Sequence, residues 1–161
     1  MKLKVGDFVF VDSTRGTANY QGMSLRDWQG KGYGVITAAE DCEEVSFAQV
    51  LVSGELRWVL IEDISKDPMG DNWYLYVLEC VDGTFYTGIT TNVNRRLHEH
   101  NNTSRGAKYT KARRPTRVVY CHPFDSRSTA AKAEYRFRKL SRDKKQKIIQ
   151  GTADISTVFK L

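Results

Sequence analysis

The run from Trp73 to Thr90, WYLYVLECVDGTFYTGIT, constrains this chain more than any other stretch. Segments rich in Tyr, Val, Leu, Ile and Phe flank Val81-Asp82-Gly83, the composition of a β-hairpin whose register depends on its turn. Side chains alternate faces along a strand, and paired residues share a face. A two-residue Asp82-Gly83 turn pairs Cys80 with Phe85 and puts Tyr76 and Tyr86 on opposite faces. A three-residue loop with a left-handed Gly83 pairs Cys80 with Thr84 and sets Tyr76 opposite Gly88. Tyr76, Leu78, Tyr86 and Gly88 then share one face, and Gly88 leaves an open spot beside both phenols where a sugar-phosphate backbone could approach.

The next segment, TTNVNRRLHEHNN, reads as a helix that starts at a Thr or Asn cap at position 91 or 92, with Val93 and Leu97 as its buried stripe. Arg96 and His100 flank that stripe on one side. Arg95 and Glu99 are spaced as a surface pair. A basic loop, SRGAKYTKARRPTR, runs to about residue 115 and sets Lys108, Lys111, Arg113 and Arg114 around Tyr109. Interleaved cations and a stacking ring suit a nucleic-acid backbone, with Arg95 and Gly88 as further candidate contacts. A strand near 117–121 and helices near 127–139 and 142–150 complete a mixed α/β unit. In the first of these helices Ala130, Ala133, Phe137 and Leu140 form a buried arc, and Glu134 stands at its edge. A carboxylate there suits a hard divalent cation, and its structural alternative is an ion pair with Arg138.

Charge divides the chain at the same point as pattern. Residues 1–72 carry 7 Lys/Arg against 12 Asp/Glu, a net of −5, whereas residues 73–161 carry 18 against 7, a net of +11. The second segment attracts phosphate polyanions and the first does not. The first segment reads as strands, KVGDFVFVD, GYGVITAAE, SFAQVLVSG and LRWVLIEDI, separated by Gly-, Asp- and Ser-rich turns, the pattern of a small all-β barrel. Boundaries follow: a β module over 1–66, a linker over 67–72, the basic α/β domain over 73–150 and a tail over 151–161. Cys42, Cys80 and Cys121 have no metal or disulfide spacing and read as reduced thiols. No apolar run approaches the roughly 20 residues that span a bilayer, so the expected setting is cytoplasmic, without membrane contact.

The first segment resembles the SH3-like barrels used as accessory modules in bacterial and phage proteins. That resemblance implies a positioning module for a protein or nucleic-acid partner, with Tyr20, Trp28 or Tyr33 as contacts. The second segment resembles the GIY-YIG nucleases. Tyr74-Leu75-Tyr76 stands where that family has GIY and Tyr86-Thr87-Gly88 where it has YIG, followed by Arg96, His100 and Glu134 in order. It is most similar to the small bacterial single-domain branch, related to the amino-terminal domain of the excision-repair nuclease. The fold implied overall is α+β, a small all-β barrel followed by a small antiparallel sheet flanked by helices.

The activity implied is metal-dependent endonucleolytic cleavage of DNA, with DNA repair as one setting. In it Tyr86 is the general base, Tyr76 and His100 orient it, Arg96 stabilises the phosphate and Glu134 holds one Mg²⁺ or Mn²⁺. Three departures accompany the match: Tyr74 replaces the first Gly, Thr87 the second Ile, and Ile89 a Lys of the repair branch. The family's late Asn has no counterpart at 146–149, which read QKII, so either Gln146 substitutes or that role is missing. The alternatives are a nucleic-acid-binding protein that keeps the fold without efficient cleavage, and an adaptor whose working part is the barrel.

Overall fold

The computed structural model describes residues 5, 8–12, 19–20, 23–24, 31–41, 46–52, 55–65, 72–153 and 155. The chain divides into two compact units, Met1–Pro68 and Met69–Leu161. Cys42, Trp28 and the side chains of Tyr20 and Tyr33 lie outside the described residues.

Unit 1 contains β1 (Phe8–Asp12), β2 (Asn19–Tyr20), β3 (Met23–Ser24), β4 (Lys31–Asp41), β5 (Ser46–Val52), β6 (Glu55–Leu60) and β7 (Ile64–Ser65). Five strands form one sheet in the order β6-β5-β4-β1-β7, while β2 and β3 pair with each other. The run LRWVLIEDI is not one strand. A 3₁₀ turn at Ile61–Asp63 breaks it, and the chain then pairs with β1 as β7. Alternation places Val9 and Val11 inward with Ile36, Val50, Val52, Val59 and Ile64 in one aliphatic core.

In unit 2, β8 (Trp73–Cys80), β9 (Phe85–Thr90) and β10 (Thr116–Phe124) form a sheet in the order β10-β8-β9. The hairpin takes the three-residue loop. Gly83 has φ 72° and its N–H donates to the Cys80 carbonyl at 2.8 Å, while the Cys80 N–H donates to the Thr84 carbonyl at 2.8 Å. Asp82 Oδ1 braces the loop by accepting from the Thr84 N–H and hydroxyl. Tyr76 therefore pairs with Gly88 and Leu78 with Tyr86.

The faces are covered by different helices. Leu75, Val77, Phe85 and Ile89 pack against α3 (Arg127–Lys139) and α4 (Arg142–Ile149) through Ala133, Phe137 and Ile148. The opposite face carries Tyr76 and meets α1 (Val93–Asn102) through His100. Caps fix where each helix begins. Asn92 Oδ1 accepts the Arg95 N–H at 2.7 Å, and Ser126 and Ser141 act likewise for α3 and α4. Asn101 ties α1 to β10 by exchanging hydrogen bonds of 2.8 Å with both the N–H and the carbonyl of Thr116. Within the expected basic loop the chain makes one further short helix, α2 (Lys108–Lys111).

A Cβ at residue 83 would have to adopt the left-handed conformation, at a cost of about 1–2 kcal/mol. Gly83→Ala should lower unfolding stability by that amount in urea titration, and Gly83→Asn, which tolerates this region, should recover part of it. Equal stability of wild type and Gly83→Ala would contradict the loop assignment.

Candidate active site

The hairpin register puts two phenols on the face that α1 covers. Tyr76 is buried, and its hydroxyl lies 2.9 Å from His100 Nε2. His100 is fully buried, and its Nδ1 lies 2.7 Å from Thr110 Oγ1. The Tyr86 ring lies 4.9 Å from the His100 ring and 6.3 Å from that of Tyr76. Tyr109 stacks on Tyr86 at 6.3 Å and is 40% exposed, with the Arg113 guanidinium 4.1 Å above its ring. Four rings thus run from a dry interior at Tyr76 and His100 to solvent at Tyr109.

Gly88 serves this arrangement in a way that differs from the expectation. A Cβ there would lie 2.6 Å from the Tyr76 hydroxyl oxygen, so the space over Gly88 is filled by that phenol and is not an opening for a substrate backbone. Glycine is needed because the Tyr76 ring crosses the neighbouring strand at its paired position.

Arg96 is the cation of the cluster. Its Nη1 donates to Glu99 Oε2 at 2.7 Å and to the Arg105 carbonyl at 3.2 Å, while Arg95 holds Glu99 Oε1 at 2.6 Å. Burial works against the Arg96 charge, but the bonds to Glu99 and the neighbouring Tyr76 outweigh it and keep the guanidinium protonated. Burial, and then the charge that Tyr86 would carry as an anion, push the Tyr76 phenol well above its ordinary range. Burial and the nearby Arg96 push His100 down to about 4, with Arg114 adding to the shift and Glu99 opposing it. At neutral pH Tyr76 and His100 are therefore both uncharged.

The basic segment divides by use. Lys108 and Lys111 are exposed on α2. Arg113 is committed to Asp82 Oδ2 at 2.9 Å and to the Tyr109 carbonyl. The Arg114 guanidinium caps α1 by donating to the His100 and Thr103 carbonyls. Arg95 is exposed and paired with Glu99. Thr110 was not singled out by pattern, and Glu99 was read only as the surface partner of Arg95, not as a partner of Arg96. The spacing of Glu99 to Arg96 at i+3 was a usable signal, whereas Thr110 reaches His100 only because the loop folds back. Gly106 permits that return, since a Cβ there would lie 2.9 Å from both the Glu99 carbonyl oxygen and the His100 Cα.

Residues 72–147 match the GIY-YIG catalytic domain family. A UPF0213 protein of Desulfotalea psychrophila is 45% identical over 80 residues, which are 50% of this chain and 73% of that one. A UPF0213 protein of Staphylococcus saprophyticus is 47% identical over 79 residues, covering 49% of this chain and 95% of its own. The chain belongs to the GIY-YIG family. The solution structure of a UPF0213 protein from Bacillus halodurans is 40% identical, covers 55% of this chain and 94% of its own, and gives a TM-score of 0.34.

The GIY-YIG departures have local explanations. Tyr74 and Thr87 are buried within the sheet. Ile89 packs into the core under α3. Glu134 lies on α3, which packs on the other sheet face, and its carboxylate stands 3.8 Å from Arg138 Nη1. The structure thus brings Tyr76, Tyr86, Arg96, His100 and Tyr109 together, while Glu134 stands on α3 with Arg138 as its ion partner.

No group of three His, Cys, Asp or Glu converges among the described residues. Glu134 is nevertheless 24% exposed, and its separation from Arg138 exceeds hydrogen-bonding distance, so its oxygens remain accessible. A single carboxylate of this kind fits a Mg²⁺ that takes its other ligands from water and substrate phosphate.

His100 also makes stability depend on pH. An unfolded chain protonates this ring below about 6.5, whereas the folded ring resists until about 4. Stability is therefore complete above that window and falls as pH drops through it. The melting temperature should decline from pH 6.5 to 4 in wild type, and His100→Gln should remove that part of the slope. The depressed carboxyls of Glu99 and Asp82 add their own loss at still lower pH.

Proposed function

We propose that this chain is a metal-dependent DNA endonuclease of the GIY-YIG type, on the strength of one observation, the Tyr76–Tyr86–His100 cluster with Arg96 held beside it. A phenol is a weak base unless cations and hydrogen-bond donors favour its anion. Tyr76 and His100 are neutral and buried, which leaves Tyr86, half-buried and stacked on the exposed Tyr109, as the phenol open to an attacking water. Tyr86 accepts the water proton, and Tyr76 and His100 hold its ring in place. Arg96 stabilises charge developing on the scissile phosphate, in a position set by Glu99. Lys108, Lys111 and Tyr109 contact the flanking strand. Glu134 would hold the divalent ion, which when bound would supply charge neutralisation at the phosphate and the leaving oxygen.

Unit 1 we read as an SH3-like barrel that positions the nuclease on a partner. The support is its strand order β6-β5-β4-β1-β7, with a 3₁₀ turn that redirects the last strand onto β1.

Labelled single-stranded, duplex and branched DNA should be nicked in Mg²⁺ or Mn²⁺ and left intact in EDTA. Tyr86→Phe and Glu134→Ala should each lower the rate by about 100-fold or more. Salt-sensitive binding without cleavage of any of these substrates would support a nucleic-acid-binding protein instead.

A further inference from the structure

His100 is held from both sides of its ring, and the contacts at Nδ1 decide which nitrogen carries the proton. A backbone N–H can only donate, and the Ala107 N–H points at Nδ1 from 3.4 Å. Thr110 Oγ1 lies closer, at 2.7 Å, and its proton has two possible acceptors, Nδ1 and the Ala107 carbonyl at 2.9 Å. That carbonyl already receives the Thr110 N–H at 3.0 Å and the Lys111 N–H at 3.2 Å, so its lone pairs are satisfied without the hydroxyl. If the Thr110 proton went to the carbonyl, Nδ1 would have to carry a hydrogen, and the Ala107 N–H would face another N–H. Full accounting of donors and acceptors therefore leaves Nδ1 bare.

We propose that Thr110 is a positioning residue: with the Ala107 N–H it fixes His100 as the Nε2–H tautomer, so that hydrogen bonds run from Thr110 through His100 and Tyr76 towards Tyr86. The Nε2–H donates to the Tyr76 oxygen across 2.9 Å. Tyr76 then has its own hydroxyl proton free for the neighbouring Tyr86, whose ring lies 6.3 Å from its own. The charged groups around the chain are Arg96, Glu99 and Arg114 beside His100, with Arg113 over Tyr109 beyond Tyr86. Thr110 reaches the ring because Gly106 lets the loop press on α1. Its hydroxyl is fully buried, so water does not replace it readily.

The consequence at Tyr86 rests on the nuclease reading, but the proton direction does not. Long-range ¹H–¹⁵N spectra of the ¹⁵N-histidine-labelled chain report which imidazole nitrogen carries hydrogen. Wild type and Thr110→Ser should both show a single Nε2–H tautomer for His100, and Thr110→Val should show a mixture or the other tautomer within an unchanged amide spectrum. Single-turnover cleavage of the substrate that wild type nicks should fall about tenfold or more in Thr110→Val and return in Thr110→Ser, as for other residues that orient a functional imidazole. A Nδ1–H tautomer in wild type overturns the proposal, whether or not any variant folds. So does a Thr110→Val protein that keeps the wild-type tautomer and rate. Absence of cleavage by wild type would remove the nuclease reading and leave the tautomer decided by the spectra alone.

Discussion

The register of β8 against β9 decides which residues this domain can use for chemistry. With Gly83 left-handed, Tyr76 faces Gly88, Leu78 faces Tyr86, and both phenols point towards α1. A slip of one residue would turn every side chain of β9 over, placing Tyr86 in the core under α3 and exposing Phe85 and Ile89. Burying or exposing a large apolar side chain is worth about 1.5–3 kcal/mol, so the packing of Phe85 and Ile89 with Phe137 defends the register that the active face needs. Glycine at 88 then follows, because the correct register puts the Tyr76 ring across that position.

Once the register is set, burial sorts the titratable groups. Tyr76 and His100 lie in a dry interior where charge is disfavoured, and the chain satisfies their polar atoms with one another and with Thr110. Tyr86 lies further out. Arg96 carries its charge at the boundary because Glu99 holds it there, and Arg95 shares that same carboxylate. The site is thus less positive than its arginines alone suggest: Glu99 offsets one of the pair and Asp82 pairs with Arg113, whereas Arg114 keeps its charge while donating to carbonyls at the end of α1. Lys108 and Lys111 are exposed on α2, whereas Arg95 and Arg113 are each paired with a carboxylate.

What was legible in the sequence was local. Hairpin parity, the cap at Asn92, the i,i+4 spacing of Arg96 and His100 and the buried arc of α3 all depend on residues a few positions apart. The two hairpin registers differed by one loop residue, and composition alone left both open. Three features escaped because they depend on chain returning from a distance. Gly88 read as an opening, since nothing local says that the Tyr76 ring crosses the strand pair. Thr110 fell within a stretch read only as a basic loop, yet it is buried where Gly106 lets that loop press on α1. Arg114 read as a phosphate contact, and nothing local says that its guanidinium also reaches the His100 and Thr103 carbonyls at the end of α1. In unit 1 the periodicity of LRWVLIEDI showed strand but not the turn at Ile61–Asp63 that redirects the chain onto β1.

The opposite charges of the two segments limit what unit 1 can contribute. A net of −5 over residues 1–72 repels the polyanion that the net +11 of residues 73–161 attracts. Any help unit 1 gives in binding nucleic acid must overcome that repulsion through hydrogen bonds or stacking, and such contacts would have to outweigh it at low salt, where screening is weakest. A partner without dense negative charge, such as a protein surface with basic or apolar character, meets no such opposition. Charge therefore favours a division of labour in which the GIY-YIG unit holds the nucleic acid and unit 1 recognises something else.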